Sequence, residues 1–134
     1  MYWEIPNQLA RSSRPGYAGE DPFPVTRGEV DEWLNRAATM GIKSIICLLA
    51  DDQLGLYTDI PEGLVSYYEA KGFAAASIPV RDHQYPPMTE RDLEEVWNAY
   101  SSLPKPVLIH CSAGMDRTGA AVTRIRDRLT LDQQ

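Results

Sequence analysis

Val107-Leu108-Ile109-His110-Cys111-Ser112-Ala113-Gly114-Met115-Asp116-Arg117-Thr118-Gly119 is the stretch whose reading decides the fold. It reads as a short apolar strand, a seven-residue loop from Cys111 to Arg117, and then a helix. A loop that runs into a helix turns backbone N–H groups inward. Together with the positive end of the helix, they form a nest for a tetrahedral anion. Cys111 opens the loop, and such settings lower a thiol pKa from about 8.5 to roughly 3.5–7.5. Arg117 closes it with a planar guanidinium that can grip two oxygens of one phosphate. Ser112, Ala113, Gly114, Met115, Asp116 and Arg117 are therefore the expected anion-binding residues, with Cys111 as the nucleophile.

Outward from this stretch, towards the N-terminus, strand and helix patterns alternate. Pro104-Lys105-Pro106 breaks a helix that Thr89 and Asp92 cap and that carries Leu93, Val96, Trp97 and Tyr100. Arg81 to Pro87 is a loop by composition, preceded by a strand from Phe73 to Val80 that three alanines weaken. Asp59 or Ile60, with Pro61 in the first turn, is expected to open a helix running to Lys71, with Leu64, Tyr67 and Tyr68 inward and Gly72 as its stop. Residues 50–60 read as a polar loop, and Ile42 to Leu49 as a strand buried on both faces. Cys47, within that strand, is most simply a small core residue; a resolving thiol for oxidised Cys111 is the alternative.

Thr26-Arg27-Gly28-Glu29 has capping-box spacing. Val30, Trp33, Leu34, Ala37 and Met40 follow at helical intervals, and Gly41 stops the helix. Trp33 is a core residue on this reading. Tyr2 to Ile5 is a short strand, Leu9 to Pro15 follows it, and Gly16 to Pro24 is a loop. Arg11 and Arg14 are expected as solvated surface charge, with phosphate gathering as the alternative. After the signature, Ala121, Val122, Ile125 and Leu129 make one apolar stripe, while Arg124, Arg126, Asp127 and Arg128 leave the rest polar. That suits a helix solvated on its outer face, a cut chain, or a dimer contact.

Alternation of this kind predicts a mostly parallel sheet flanked by helices, an α/β fold. Ligands in such sheets bind outside the carboxyl ends of the strands, where Asp82 and Cys111 can share one rim. At 134 residues the chain has the length of a single domain over residues 1–134. Hydrophobic content of 43% and charge of 24% are ordinary for a globular protein. No run of eighteen apolar residues supports a membrane span, and the N-terminus lacks a secretory pattern. Two cysteines, one wanted free, point to a reducing cytoplasm. A net charge of −6 argues against nucleic acid as partner. The two histidines are not spaced as ligands, so neither a metal nor a cofactor is expected. The oligomeric state stays open.

His110-Cys111, five residues, then Arg117-Thr118, with Gly114 and Gly119 included, resembles the signature of the cysteine-dependent protein tyrosine and dual-specificity phosphatases. The resemblance implies a phosphatase-type α/β domain, with a short C-terminal end where relatives usually add further helices. It implies a phosphocysteine intermediate and a phosphorylated protein, or another phosphomonoester, as substrate. It also implies a general acid on a loop some thirty residues before the cysteine. Ile78 to Pro87 matches that loop and makes Asp82 the candidate. This loop is similar to the Asp-His-x-Pro-Pro stretch of tensin-type phosphatases with one residue inserted. Asp116 is the rival acid, because the myotubularin loop carries an aspartate at the same place.

By the same analogy Thr118 hydrogen-bonds the sulfur, and His110 orients the loop. Tensin-type lipid phosphatases carry lysines where this chain has Ser112 and Met115, which turns the reading away from a highly charged inositol headgroup. Phosphoinositides or small phosphate esters are thus the alternative to phosphoproteins. Tyr57 and Tyr85 are the candidate rim aromatics. A non-catalytic phospho-binding module would normally have lost Cys111, Arg117 or the acid. A persulfide-based sulfur transferase has no need of Arg117-Thr118.

Overall fold

The structure is a computed structural model that describes residues 1–19 and 23–132. Its elements follow as β1 (Tyr2–Ile5), β2 (Leu9–Ser12), α1 (Arg27–Thr39), β3 (Ser44–Cys47), α2 (Asp51–Leu54), α3 (Leu64–Ala70), β4 (Ala74–Ser77), α4 (Glu90–Ser102), β5 (Val107–His110) and α5 (Asp116–Asp132). The strands form one sheet in the order β1-β2-β5-β3-β4. β5 is parallel to both β2 and β3, β4 is parallel to β3, and only the edge strand β1 is antiparallel. The expected α/β architecture with a mostly parallel sheet is therefore present.

Position in the sheet explains the composition of the strands. β5 is covered on both faces and both edges, and Val107, Leu108, Ile109 and His110 are fully buried. Alternation then sorts its side chains. Leu108, with Ala10, Ile45 and Cys47, faces a layer built from Trp33, Leu34, Leu64 and Tyr68 of α1 and α3. Ile109 and Val107, with Leu9 and Ile46, face Val96 and Tyr100 of α4 and Val122 and Ile125 of α5. β4, with three successive alanines, is the opposite edge and is only partly covered. Full burial of one Ile or Leu is worth ~1.5–3 kcal/mol, so the double-sided core fixes the exit of β5.

Helix ends follow local chemistry. The Thr26 side chain accepts from the Glu29 N–H and caps α1, and Thr89 and Asp92 make a full reciprocal box on α4. Gly41 and Gly72 turn the chain after α1 and α3 at φ of 85° and 99°. Two expectations change. Residues 50–60 are not all loop, because α2 forms directly after the β3 extension. The next helix begins at Leu64 behind Gly63, not at Pro61. Asp59 is drawn away from its own helix: its carboxylate accepts from the Arg27 N–H at 2.8 Å and so helps cap α1.

The outer face of α5 is also less solvated than its sequence suggests. Arg124 pairs with Glu90 at 2.7 Å, Arg128 with Glu94, and Arg126 with Glu4 at 2.9 Å. Half-exposed pairs of this kind contribute only ~0.2–1 kcal/mol each. The buried stripe of Ala121, Val122 and Ile125 is what holds the helix. Among the described residues, no helix is long and apolar enough to cross a membrane.

Candidate active site

Cys111 leaves the carboxyl end of β5 beneath a pocket of about 110 Å³. Ser112, Ala113, Arg117, Asp82 and Gln53 line that pocket with it, and the more exposed Met115 and Asp116 also contribute. Cys111 itself is buried, with its surface in the pocket lining.

The loop rests on a shelf made by the end of β2 and the turn after it. Arg14 N–H donates to the Ser112 carbonyl at 2.8 Å. Arg11 Nη2 donates to the Gly114 carbonyl at 2.9 Å and the Met115 carbonyl at 3.3 Å, while its Nη1 is held by Glu4 at 3.1 Å. The indole of Trp33 fixes the shelf by donating to the Ser12 hydroxyl at 3.2 Å and the Ser13 carbonyl at 3.0 Å. Arg11 and Arg14 are therefore not solvated surface charge; Arg14 is 3% exposed. Gly114 is buried against the shelf and does not line the pocket. Its φ is 77°, and a Cβ there would stand 2.6 Å from the Ser12 carbonyl oxygen. Its role is close approach, not substrate contact.

His110 underpins the loop from beneath, packed edge-on against Trp33 at 5.2 Å between ring centroids. Its Nδ1 lies 3.1 Å from the Cys111 carbonyl, which can only accept, so Nδ1 carries the proton. Nε2 then accepts from the Tyr68 hydroxyl at 2.9 Å. Burial pushes the His110 pKa down to about 4, with the charges of Arg117 and Arg14 acting in the same direction. The imidazole is thus a neutral, fully hydrogen-bonded strut. Burial likewise raises the Tyr68 hydroxyl well above its ordinary range and keeps it a donor.

Arg117 is 2% exposed and tethered along one edge. Nη1 donates to the Val80 carbonyl at 2.7 Å, to Gln53 Oε1 at 3.0 Å and to the Leu48 carbonyl at 3.3 Å. Nε and Nη2 are buried and make no hydrogen bond. Nη2 does lie 3.0 Å from Asp82 Oδ2, a contact of charges without donor alignment. A guanidinium anchored on one side with donors left over on the other suits two oxygens of an anion.

Asp82 stands at the same rim. Its Oδ2 accepts from Gln53 Nε2 at 3.0 Å and its Oδ1 from the His83 N–H at 2.9 Å. Burial opposes its ionisation. The Arg117 charge, the Gln53 amide and the His83 N–H together outweigh burial and lower its pKa below the ordinary carboxylate value. Asp116 lines the pocket too, but it is exposed at the start of α5 and makes no ion pair among the described residues.

Several expected details differ. Thr118 Oγ1 is buried and makes no hydrogen bond, to the Cys111 sulfur or to any other described group. Tyr57 is a core residue whose hydroxyl donates to the Pro15 carbonyl at 2.7 Å. Tyr85 is 99% exposed and outside the pocket. The aromatic at the pocket is Tyr17. Cys47 packs with the α1–α3 core and Cys111 with the α4–α5 core, and both are free thiols. Burial raises the Cys47 thiol to about 12, as for an inert core residue.

Gln53 was not foreseen, although it follows the β3 end by a few residues and so reaches the same rim as Asp82. Its loop reads as merely polar, and nothing in the sequence marks one amide among those side chains. Among the described residues, no group of three His, Cys, Asp or Glu is arranged to hold a metal.

A cysteine-and-arginine loop at the carboxyl end of a central parallel strand defines a phosphatase-type α/β domain. Residues 24–126 match the Tc-R-P family model, described as a polymorphic toxin system, DSP-PTPase phosphatase, and the chain belongs to that family. The search of curated proteins gave no match. Among solved structures, the chain is similar to the core catalytic domain of the PP-IP phosphatase SIW14 from S. cerevisiae, crystallised with citrate. The TM-score is 0.56 and the identity 19%, over 96% of this chain and 66% of that one. The chain thus spans just under two thirds of that structure's length, and the likeness is one of fold.

Proposed function

We propose that this protein hydrolyses phosphoric monoesters through a phosphocysteine formed on Cys111. The observation that carries this reading is that Cys111, Arg117 and Asp82 line one small pocket, with Arg117 Nε and Nη2 free of hydrogen bonds and Nη2 in charge contact with Asp82. The Cys111 thiolate attacks phosphorus while the bond to the leaving oxygen breaks. Arg117 and the loop N–H groups from Ser112 to Arg117 hold the phosphoryl oxygens and offset the charge that develops on them. Asp82 gives its proton to the leaving oxygen. In the second step Asp82 takes a proton from water, the water oxygen bonds to phosphorus, and the S–P bond breaks to release phosphate and thiolate.

The resting geometry supplies the proton logic. Without substrate, Asp82 is paired with Arg117 and ionised. A dianionic phosphoryl group claims the arginine and places like charge beside the carboxylate, which raises its proton affinity. Asp82 is therefore loaded with its proton as substrate binds. It serves better than Asp116, which has neither Arg117 nor Gln53 to tune it. Thr118, buried beside the loop, is free to turn its hydroxyl to the sulfur in the second step.

Phosphotyrosyl and phosphothreonyl proteins are the substrate class that the motif favours. The matched family is described as a phosphatase of a polymorphic toxin system, which supports a phosphoester substrate; a reducing cytoplasm, which would keep Cys111 a free thiol, is the setting that fits this chemistry. Hydrolysis of p-nitrophenyl phosphate, its inhibition by vanadate and its loss in Cys111→Ser test the chemistry, because a serine there has no base to activate it. Parallel phosphate release from phosphotyrosyl peptides, phosphothreonyl peptides and phosphoinositides tests the class.

A further inference from the structure

Beside the Cys111 pocket lies a second cavity of about 200 Å³. Ser112, Gln53, Asp82 and His83 line both spaces, while Arg14 and Asp52 face only the second. Arg14 is 3% exposed, yet the described residues provide no carboxylate within ion-pair distance of it. Its Nε donates to the Ser112 hydroxyl at 3.2 Å, and its Nη1 is buried without a hydrogen-bond partner. An arginine cannot shed its charge. The Tyr57 hydroxyl also acts on Arg14, but it brings no negative charge. A buried guanidinium with one nitrogen unpartnered and no opposite charge in contact favours an anion in the adjoining cavity.

We infer that Arg14 and Ser112 form a second anion subsite next to the catalytic loop, and that the substrate carries a second phosphoryl group close to the one that is cleaved. The inference rests on the phosphatase reading and narrows its substrate class. Each space has its own guanidinium, and the two spaces share Asp82. Arg117 answers the scissile group, and Asp82 is held by Arg117 and Gln53. Arg14 answers the second group. Asp82, held by Arg117, and the exposed Asp52 are the opposing carboxylates of the second cavity, and Asp52, which has no such cation, limits affinity there. Arg14 also stacks over the Tyr17 ring at 5.6 Å, which holds the guanidinium where the two spaces meet.

The test compares orthophosphate, pyrophosphate and 2,3-bisphosphoglycerate as competitive inhibitors of p-nitrophenyl phosphate hydrolysis. At least one of the two-phosphoryl compounds is expected to bind about tenfold or more tightly than orthophosphate, the scale of a charge-assisted arginine contact. In Arg14→Met that advantage is expected to shrink to within about threefold, and in Asp52→Asn to grow. An advantage absent from the native protein, or undiminished in Arg14→Met, overturns the subsite. Should Arg14→Met fail to fold, Asp52→Asn decides, and an unchanged preference there overturns it as well.

Phosphotyrosyl peptides with and without a neighbouring phosphoserine identify the source. An Arg14-dependent gain from the second phosphate in the peptide assigns the group to a protein, and a gain confined to the small compounds assigns it to a metabolite. Failure to hydrolyse p-nitrophenyl phosphate at all would sink the catalytic reading alone. Calorimetry with the same three anions would still decide the subsite.

Discussion

Asp82 and Gln53 act on one guanidinium from two sides, and replacing each gives a different kinetic outcome. Asp82→Asn keeps the shape and the hydrogen-bonding reach but cannot carry the proton. Its kcat is expected to fall by ~10²–10⁴-fold. The decline of kcat as pH rises through the acid's pKa in the complex should vanish with it, as a pH–rate profile would show. Gln53→Leu removes the amide that bridges Arg117 and Asp82 at 3.0 Å on each side. A hydrogen bond to a charged group is worth ~1.5–3 kcal/mol, so phosphate affinity, read as a competitive inhibition constant, should weaken by about 10- to 100-fold. That Cys111, Arg117 and Asp82 come to one pocket was legible in the sequence, the first two from the loop between a strand and a helix and Asp82 from its strand end and the resemblance of its loop. Gln53 and Tyr17 were not, and Arg14 only as the alternative to surface charge, because an amide, a phenol and a lone arginine reach the rim only when the fold brings three loops together.

At the scale of elements, the two glycines of the signature, Gly114 in the loop after β5 and Gly119 inside α5, have opposite requirements. Gly114 combines a φ of 77° with a carbonyl oxygen 2.6 Å from where a Cβ would stand. The backbone conformation alone costs a non-glycine residue ~1–3 kcal/mol, and the clash with the Ser12 backbone adds to it. Gly114→Ala should therefore lower stability in urea unfolding by at least that amount and displace the loop. Gly119 sits in the first turns of α5, and the nearest atom to its hypothetical Cβ is Arg11 Nη2, at an ordinary 3.6 Å. Gly119→Ala should stabilise the protein by ~0.5–1 kcal/mol through helix propensity. Sequence periodicity located α1, α4 and the buried strands well, because each has a cap or stop residue and a one-faced or two-faced apolar pattern. It misplaced the start of α3, where Asp59 and Pro61 resemble a helix opening. The competing partner, Arg27, lies on a distant helix and is invisible to a local reading.

For the whole molecule, the neutral buried His110 links stability to pH. Its folded pKa is depressed to about 4 from an ordinary 6.5, by burial first and nearby arginines second. The unfolded chain therefore takes up a proton that the folded chain refuses between those two values. The stabilisation is fully present above about 6.5 and is lost as pH falls towards 4. A tenfold difference in proton affinity between the two states is worth about 1.4 kcal/mol, so the loss approaches about 3 kcal/mol at the acid end. Asp82, also depressed, adds a loss of the same sign at lower pH. Urea unfolding at pH 7 and pH 4.5 should show the decline, and His110→Gln should flatten it while lowering stability at pH 7. Fold class was legible at this scale because β–α alternation and the place of the signature at a strand end leave few topologies. The packing of Cys47 and Cys111 into different cores was not, since it depends on which face of the sheet each strand presents.

The most direct test is a rapid acid quench of the protein with p-nitrophenyl phosphate, followed by mass analysis of the peptide that contains Cys111. The account predicts one phosphoryl group on Cys111, transient in the native protein, longer-lived in Asp82→Asn and absent in Cys111→Ser. Turnover without that adduct, or turnover that persists in Cys111→Ser, would contradict it.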